Sequence, residues 1–277
     1  MTKATPEIFN RSVYLARQSK TRATSATESL LAHVAEDMTD RLSVIIHTFS
    51  HVGIIADDAK LFVTALTATG KFKTIETIAP PLGEDLGLHA GSFDALFSIL
   101  DLHCVNDVPG YLAQCAKALR PDGLFMCVFF GGDTLVELRA SWLAAEAETG
   151  RVSPRIAPMV GLREMGGLLQ RAGLALPVAD SDRLILRYAN VLALLREIKS
   201  IGYANPLVER GKTLTAPRLL HSLDQHYKPD EDGRLRATLE LFWAMAWKPH
   251  DSQPKPKKPG SATHSLEDIL KQIDHET

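Results

Sequence analysis

The stretch FDALFSILDLHCVNDVPGYLAQCAKALRPDGLFMCVFF, Phe93 to Phe130, decides the fold. Its two ends, FDALFSIL and LFMCVFF, are almost continuously apolar. Strands covered on both faces read this way, because neither side meets water. Between them the spacing predicts a helix over 108–119, closed by the turn Arg120-Pro121-Asp122-Gly123. Strand, helix, strand with this spacing is the βαβ unit of a parallel sheet.

Working outward, the same alternation continues on both sides. Val52–Ile55 and Thr74–Ile78 are candidate strands, with a helix at 59–69 between them. Downstream, helices are expected at 134–148, in LREMGGLLQRAGL up to a C-cap at Gly173, at Asn190–Ser200 and at Leu214–Tyr227. DRLILRY alternates as a half-exposed strand, and 239–246 reads as a final strand, antiparallel at the far side. The organisation expected is an N-terminal helical arm over 1–40, one α/β domain over 41–250, and a basic Pro-rich tail over 251–277 with a short helix at 266–273. In the arm, Phe9, Val13 and Ala16 form the apolar face of a covering helix; the alternative is a transit peptide rich in Arg, Ser and Thr.

The composition excludes some classes of function. The 277 residues are 45% hydrophobic and 23% charged, with a net charge of −2. That balance gives no electrostatic reason to bind nucleic acid or an anionic membrane. No apolar run approaches the roughly 18 residues of a membrane span. Cys104, Cys115 and Cys127 have no metal-type spacing and suit a reduced, cytosolic chain. His221 and His226 are five apart, a poor helical spacing for a shared metal, so no metal site is expected.

In a doubly wound sheet, ligands bind at the carboxyl ends of the strands, near the switch point. The loops there are 56–60, 78–88, 101–109 and 131–135. Their residues carry a family resemblance: Leu102-His103-Cys104-Val105-Asn106-Asp107-Val108-Pro109, then Arg120-Pro121-Asp122-Gly123, then Gly131-Gly132-Asp133-Thr134-Leu135-Val136-Glu137-Leu138-Arg139. With SPRIAPM, LLQRAGL, DSDR, WKPHDSQ and PGSA, they resemble the family of mitochondrial complex I assembly factor 5 and its bacterial relatives. They are more distantly similar to the malonyl-carrier-protein methyltransferases of biotin synthesis. The resemblance runs from about residue 40 to near the end of the chain.

The resemblance implies a class I methyltransferase-like, Rossmann-like α/β fold: a seven-stranded doubly wound sheet with an N-terminal helix and a helical insertion before the last strand. It implies S-adenosylmethionine (SAM) as cofactor and a protein substrate, with a respiratory complex I subunit or another protein as the partner. The eukaryotic relative is reported to hydroxylate an arginine. The implied location is the cytoplasm of a bacterium or the mitochondrial matrix of a eukaryote. Two other readings stay open: a non-catalytic assembly scaffold, and a small-molecule or carrier-protein methyltransferase.

The implied cofactor residues are Ala56, Asp57 and Lys60 in the loop after the first strand, Glu76 near the end of the second, and Asp101 after FDALFSIL. Here the chain departs from the family. Where the family has Asp-Leu-Gly-x-x-x-Gly, this chain has Ile54-Ile55-Ala56-Asp57-Asp58-Ala59-Lys60, without either glycine. A Cβ in left-handed geometry costs about 1–2 kcal/mol. Asp57 and Asp58 are also N-cap candidates that could occupy the N–H donors a carboxylate would use. Two carboxylates 4 Å apart repel by about 1 kcal/mol in water and about 4 at an effective dielectric near 20. The expectation is therefore SAM binding that is weak or lost, with Lys60 as the counterweight. A second departure is Cys104 in place of the family tryptophan.

On the substrate side the candidates are His103, Asn106 and Asp133. A loop histidine can exchange a proton near neutral pH or simply anchor the loop. Asp107 reads as an N-cap before Val108-Pro109, and Asp133 as a functional acid or a cap.

Overall fold

A computed structural model describes residues 6–20, 25–148, 150 and 153–254. The proposed helix at 266–273 and most of the basic tail lie outside the described residues.

Six strands form one mixed sheet: β1 (Phe49–Ile55), β2 (Phe72–Ile78), β3 (Phe93–Ile99), β4 (Leu119–Phe130), β5 (Ala175–Tyr188) and β6 (Leu235–Trp247), in the order β2-β1-β3-β4-β6-β5. The first four run parallel, and β6 is antiparallel to both β4 and β5. The apolar ends of the opening stretch are indeed neighbours, with Leu96 opposite Phe125 and Ser98 opposite Cys127. The expected final strand is present, but it lies inside the sheet. The outermost strand is β5, whose side chains alternate between half-buried and exposed along most of its length.

Among the described residues the sheet has six strands where seven were expected. Only residues 79–92 separate β2 from β3, and they contain Pro80, Pro81, Gly83, Gly87 and Gly91. A whole βαβ unit takes roughly 30 residues, so this segment is too short to add a further helix and strand. The segment instead crosses β1 directly, its backbone tied to α4 (Val108–Ala118) by Gln114, which donates to Glu84 O and accepts from Leu86 N.

The helices cover the sheet on both faces. On one, Val34, Met38 and Leu42 of α2 (Ser25–Ser43) and Phe62 and Leu66 of α3 (Lys60–Ala68) pack against Val52, Ile54 and Phe97. On the other, Leu112 and Cys115 of α4 and Met165 and Leu169 of α6 (Leu162–Arg171) pack against Leu96, Phe125 and Cys127. A third cluster joins α5 (Val136–Ala147), α7 (Val191–Ser200) and α8 (Pro217–His226) around Trp142, Leu194 and Leu223. The anticipated terminators are in place: Asp107 accepts from Gly110 N at 2.9 Å, and Gly173 has φ +85°; Asn190, expected as the first helical residue, is instead the N-cap of α7, accepting from Ala193 N. Arg120–Gly123 departs from a free turn. It joins the start of β4 as an irregularity, with Asp122 at φ +64° and its N–H donated to Lys248 O.

The arm folds onto the carboxyl edge of the sheet as α1 (Arg11–Gln18) followed by α2. The expected face is only partly the one used. Phe9 is buried, Val13 half-buried and Ala16 exposed, while Arg11 and Tyr14 are buried.

Candidate active site

Two cavities open at the carboxyl edge. The smaller, about 450 Å³, lies at the switch point between β1 and β3. It is lined by Ala56, Asp57, Asp58 and Lys60 after β1 and by Leu100 and Asp101 after β3. The larger, about 690 Å³, lies beside it and includes His103, Cys104, Phe130 and Trp142. Both volumes fall in the range of small-molecule sites. Tyr14, Leu30, Ile201 and Tyr203 line both cavities and so form the wall between them.

In the smaller cavity the loop solves the missing glycines by avoiding positive φ. None of residues 56–59 is left-handed, and Ala56 and Ala59 bury their methyl groups. Asp58 accepts from Lys60 N at 3.1 Å, so one first-turn donor of α3 is taken. The N–H groups of Leu61 and Phe62, also in the first turn, have no intrahelical acceptor. Burial, then Asp58 and Asp101, raise the Asp57 carboxyl above its usual range. Left-handed geometry appears instead at Leu100 (φ +51°) after β3 and at Leu135 (φ +56°) before α5, each lining a cavity. Such backbone costs about 1–3 kcal/mol and persists only where its surroundings over-determine it.

A buried ion pair closes this end. Arg11 Nη2 donates to Asp101 Oδ2 at 2.7 Å, and Arg11 Nε donates to Pro81 O at 3.1 Å. The two side chains are 6% and 2% exposed. Arg11 Nη1 and Asp101 Oδ1 have no partner among the described residues. An acceptor left unpaired at a cavity wall is where a ligand donor gains most. Tyr14 donates to Leu100 O at 2.8 Å, and Arg17 donates to Ala204 O and Asn205 O, which fastens the rest of α1.

In the larger cavity His103 is buried against the rings of Phe130 and Tyr203, at centroid distances of 4.9 and 5.2 Å. Burial, then the Arg11 charge, pushes its pKa down to about 3. The imidazole is therefore neutral at physiological pH and a weak base. Its Nδ1 has no partner among the described residues. Burial also pushes the Tyr14 and Tyr203 phenols well up, so both hydroxyls keep their protons.

The structure brings some of the sequence candidates together and separates others. Ala56, Asp57, Lys60 and Asp101 share the smaller cavity, and His103 lines the larger one. Glu76 lines neither; it pairs with His51 at 3.1 Å. Asn106 spends its amide on the arm, accepting from Ile8 N and Phe9 N and donating to Phe9 O. Asp133 is half exposed and pairs with Arg183, which also reaches Glu240. It does not cap α5, whose N-cap is Leu135. The rest of the Gly131–Arg139 motif stitches α5 to β6. Thr134 Oγ1 bonds both the N–H and the carbonyl of Glu240, and Glu137 accepts from Thr238 N. A Cβ on Gly131 would come within 2.5 Å of the Phe242 ring.

Arg11, Tyr14, Tyr203, Arg155 and Glu197 are site residues that the sequence reading missed. Only Arg11 and Tyr14 left a local signal, being three apart and so on one helical face. Among the described residues no group of three or more His, Cys, Asp or Glu side chains could hold a metal, and no helix is long and apolar enough to cross a membrane.

The sheet order, the cleft at the switch point and the helices on both faces accord with what comparison shows. A profile described as a methyltransferase domain matches residues 43–127. The chain has a class I methyltransferase fold. A solved structure from Bacillus halodurans, assigned as a methyltransferase, superposes with a TM-score of 0.51 at 10% identity, covering 77% of this chain and 98% of that one. The chain is also related to proteins named arginine-hydroxylase NDUFAF5, mitochondrial. It is 35% identical to the Mus musculus protein over 224 residues, 76% of this chain and 64% of that one. With the Homo sapiens protein it is 36% identical over 68% of this chain and 55% of that one. A malonyl-[acyl-carrier protein] O-methyltransferase from Laribacter hongkongensis is 35% identical over 65% of this chain and 61% of that one. This methyltransferase-fold chain thus spans about three fifths of the length of the curated relatives it matches.

Proposed function

We propose that the chain is an enzyme of the NDUFAF5 type that holds SAM weakly in the smaller cavity and acts on a side chain of a protein substrate, a respiratory complex I subunit, in the larger one. The observation that carries this reading is the pair of cavities divided by a single wall of Tyr14, Leu30, Ile201 and Tyr203. A cofactor and an acceptor would sit on either side of that wall, and its residues would have to part for the two to meet.

The residues present fit the methionine end of SAM. The unpartnered Asp101 Oδ1 and the Asp57 carboxyl would take its ammonium. Lys60 and the first-turn amides of α3 would take its carboxylate. When bound, SAM supplies an electrophilic methyl group on a sulfonium. The remaining work falls to this chain. The buried Arg11–Asp101 pair and the Tyr14 hydroxyl hold α1 across the carboxyl edge and keep water from the junction. His103, neutral and with its buried Nδ1 unpartnered among the described residues, serves better as a hydrogen-bond partner that orients the acceptor than as a general base. A base with a pKa of about 3 is far from the operating pH.

One observation favours a second reading, a scaffold that has lost catalysis. The loop lacks glycine and carries two adjacent carboxylates, which repel the cofactor's own carboxylate. Calorimetric titration with SAM and its demethylated product separates the two readings. Binding with Kd of tens of micromolar, weakened severalfold by Lys60→Ala, supports the enzyme. No binding at millimolar ligand supports the scaffold, and low-micromolar binding would show the loop to be a full-strength site.

A further inference from the structure

We infer that Glu197, held by Tyr188, is the specificity-determining carboxylate of the larger cavity and receives a cationic group of the substrate, a guanidinium or primary ammonium at the end of a slender apolar stem. This rests on assigning the larger cavity to the substrate.

Three kinds of charged group line that cavity, and two are already neutralised within the fold. Arg155 Nε pairs with Glu146 Oε1 at 2.7 Å, Nη1 donates to Thr215 Oγ1, and the guanidinium lies 4.2 Å from the Trp142 ring centroid. His33 Nε2 is 2.7 Å from Asp182 Oδ2. Glu197 differs. Its one side-chain partner is a neutral hydroxyl, Tyr188 Oη, which donates to Oε1 at 2.7 Å. No Lys, Arg or His lies within ion-pair distance of it among the described residues. An ionised carboxylate offers about four lone-pair sites, so Glu197 keeps acceptor capacity on both oxygens.

Its placement is also unusual. α7 turns Leu194, Leu195 and Ile198 toward the cavity, with its C-cap Ile201 beside them, and Glu197 lines the cavity too. An acid among the apolar residues of an amphipathic helix breaks the pattern that folds the helix. Its hydrogen bond from Tyr188 ties α7 to β5 but leaves the charge unmatched, and a ligand of opposite charge would match it. The walls suit the rest of such a ligand. Phe130, Trp142, Tyr188 and Tyr203 offer ring faces and edges, which accept an alkyl stem and attract a cation. Among the described residues an anionic substrate would find no free cation here: Arg155 and His33 are paired, and the buried His103 is neutral.

The test uses the full chain and three small probes: butylguanidinium, its neutral isostere butylurea, and pentanoate. Affinity for the larger cavity is read by NMR titration at pH 7.5. Butylguanidinium should bind at least tenfold more tightly than butylurea, and pentanoate more weakly still. Glu197→Gln should erase the preference to within twofold, and Tyr188→Phe should reduce it severalfold. SAM affinity in the smaller cavity should be unchanged in both variants. A purely structural tie between β5 and α7 would alter stability but not the order of the probes. Equal binding of butylurea, or a preference that survives Glu197→Gln, overturns the proposal. Should Glu197→Gln fail to fold, the carboxyl carbon resonance of Glu197 in the unaltered protein must move on titration with butylguanidinium, and a stationary resonance overturns it too. A cation preference in a protein that modifies no protein substrate would sink the functional reading and leave this one standing. Modification without the preference would do the reverse.

Discussion

Replacing Arg11 by methionine tests whether the arm closes the site. Arg11 and Asp101 are 2.7 Å apart and nearly inaccessible. The substitution keeps much of the apolar stem but leaves Asp101 buried and charged, and Pro81 O without its donor. Breaking a buried pair from one side costs about 3–5 kcal/mol, mostly the penalty of the stranded charge. For a domain of this size, that corresponds to a fall in Tm of roughly 6–20 °C at about 2–4 °C per kcal/mol. The loss can surface in two ways. Either global stability in urea falls by that amount, or α1 undocks locally, and amide exchange in α1 and around Leu100 accelerates at least about a hundredfold. Both should be measured together. The double variant Arg11→Met/Asp101→Leu should recover more than half of the loss, because a neutral pair carries no stranded charge. A loss below about 1 kcal/mol, with exchange in α1 unchanged, would refute the idea that this pair locks the arm to the sheet.

Two further outcomes are expected. His103 is held well below its ordinary pKa, so the unfolded chain binds a proton there that the folded chain refuses between about pH 6.5 and 3. Its contribution is fully present above pH 6.5 and is lost as pH falls through that window, with a slope of up to about 1.4 kcal/mol per pH unit. His103→Gln should flatten the profile of unfolding free energy between pH 6.5 and 4, and parallel profiles for the two proteins would count against it. Asp58→Gly should free the Lys60 N–H and remove one negative charge beside the cofactor cleft, tightening SAM binding about tenfold, or about 1.4 kcal/mol. Unchanged or weaker binding in a calorimetric comparison at low salt would show that Asp58 is not the obstacle.

The sequence by itself determined the sheet at its centre. FDALFSIL and LFMCVFF are apolar on both faces, and only a strand buried on both sides accommodates that, so their adjacency was legible without coordinates. The cap at Asp107 and the terminator Gly173 were legible because each acts on backbone close by in the chain. So was the clustering of Ala56, Asp57, Lys60 and Asp101, because strand ends converge in a doubly wound sheet. What only the tertiary structure decided depends on partners distant in the chain. Arg11 meets Asp101 across 90 residues, and Asn106 turns from the substrate to the backbone of the arm. Asp133 is drawn to Arg183 on β5, which no local pattern announces. Glu197 interrupts the apolar face of α7, but nothing within the helix shows what that face meets. It faces a cavity because β5, α5 and α8 pack around α7 and enclose that face. Local rules read neighbours along the chain, whereas the chemistry of this site is set by pairs that folding brings together from its two ends.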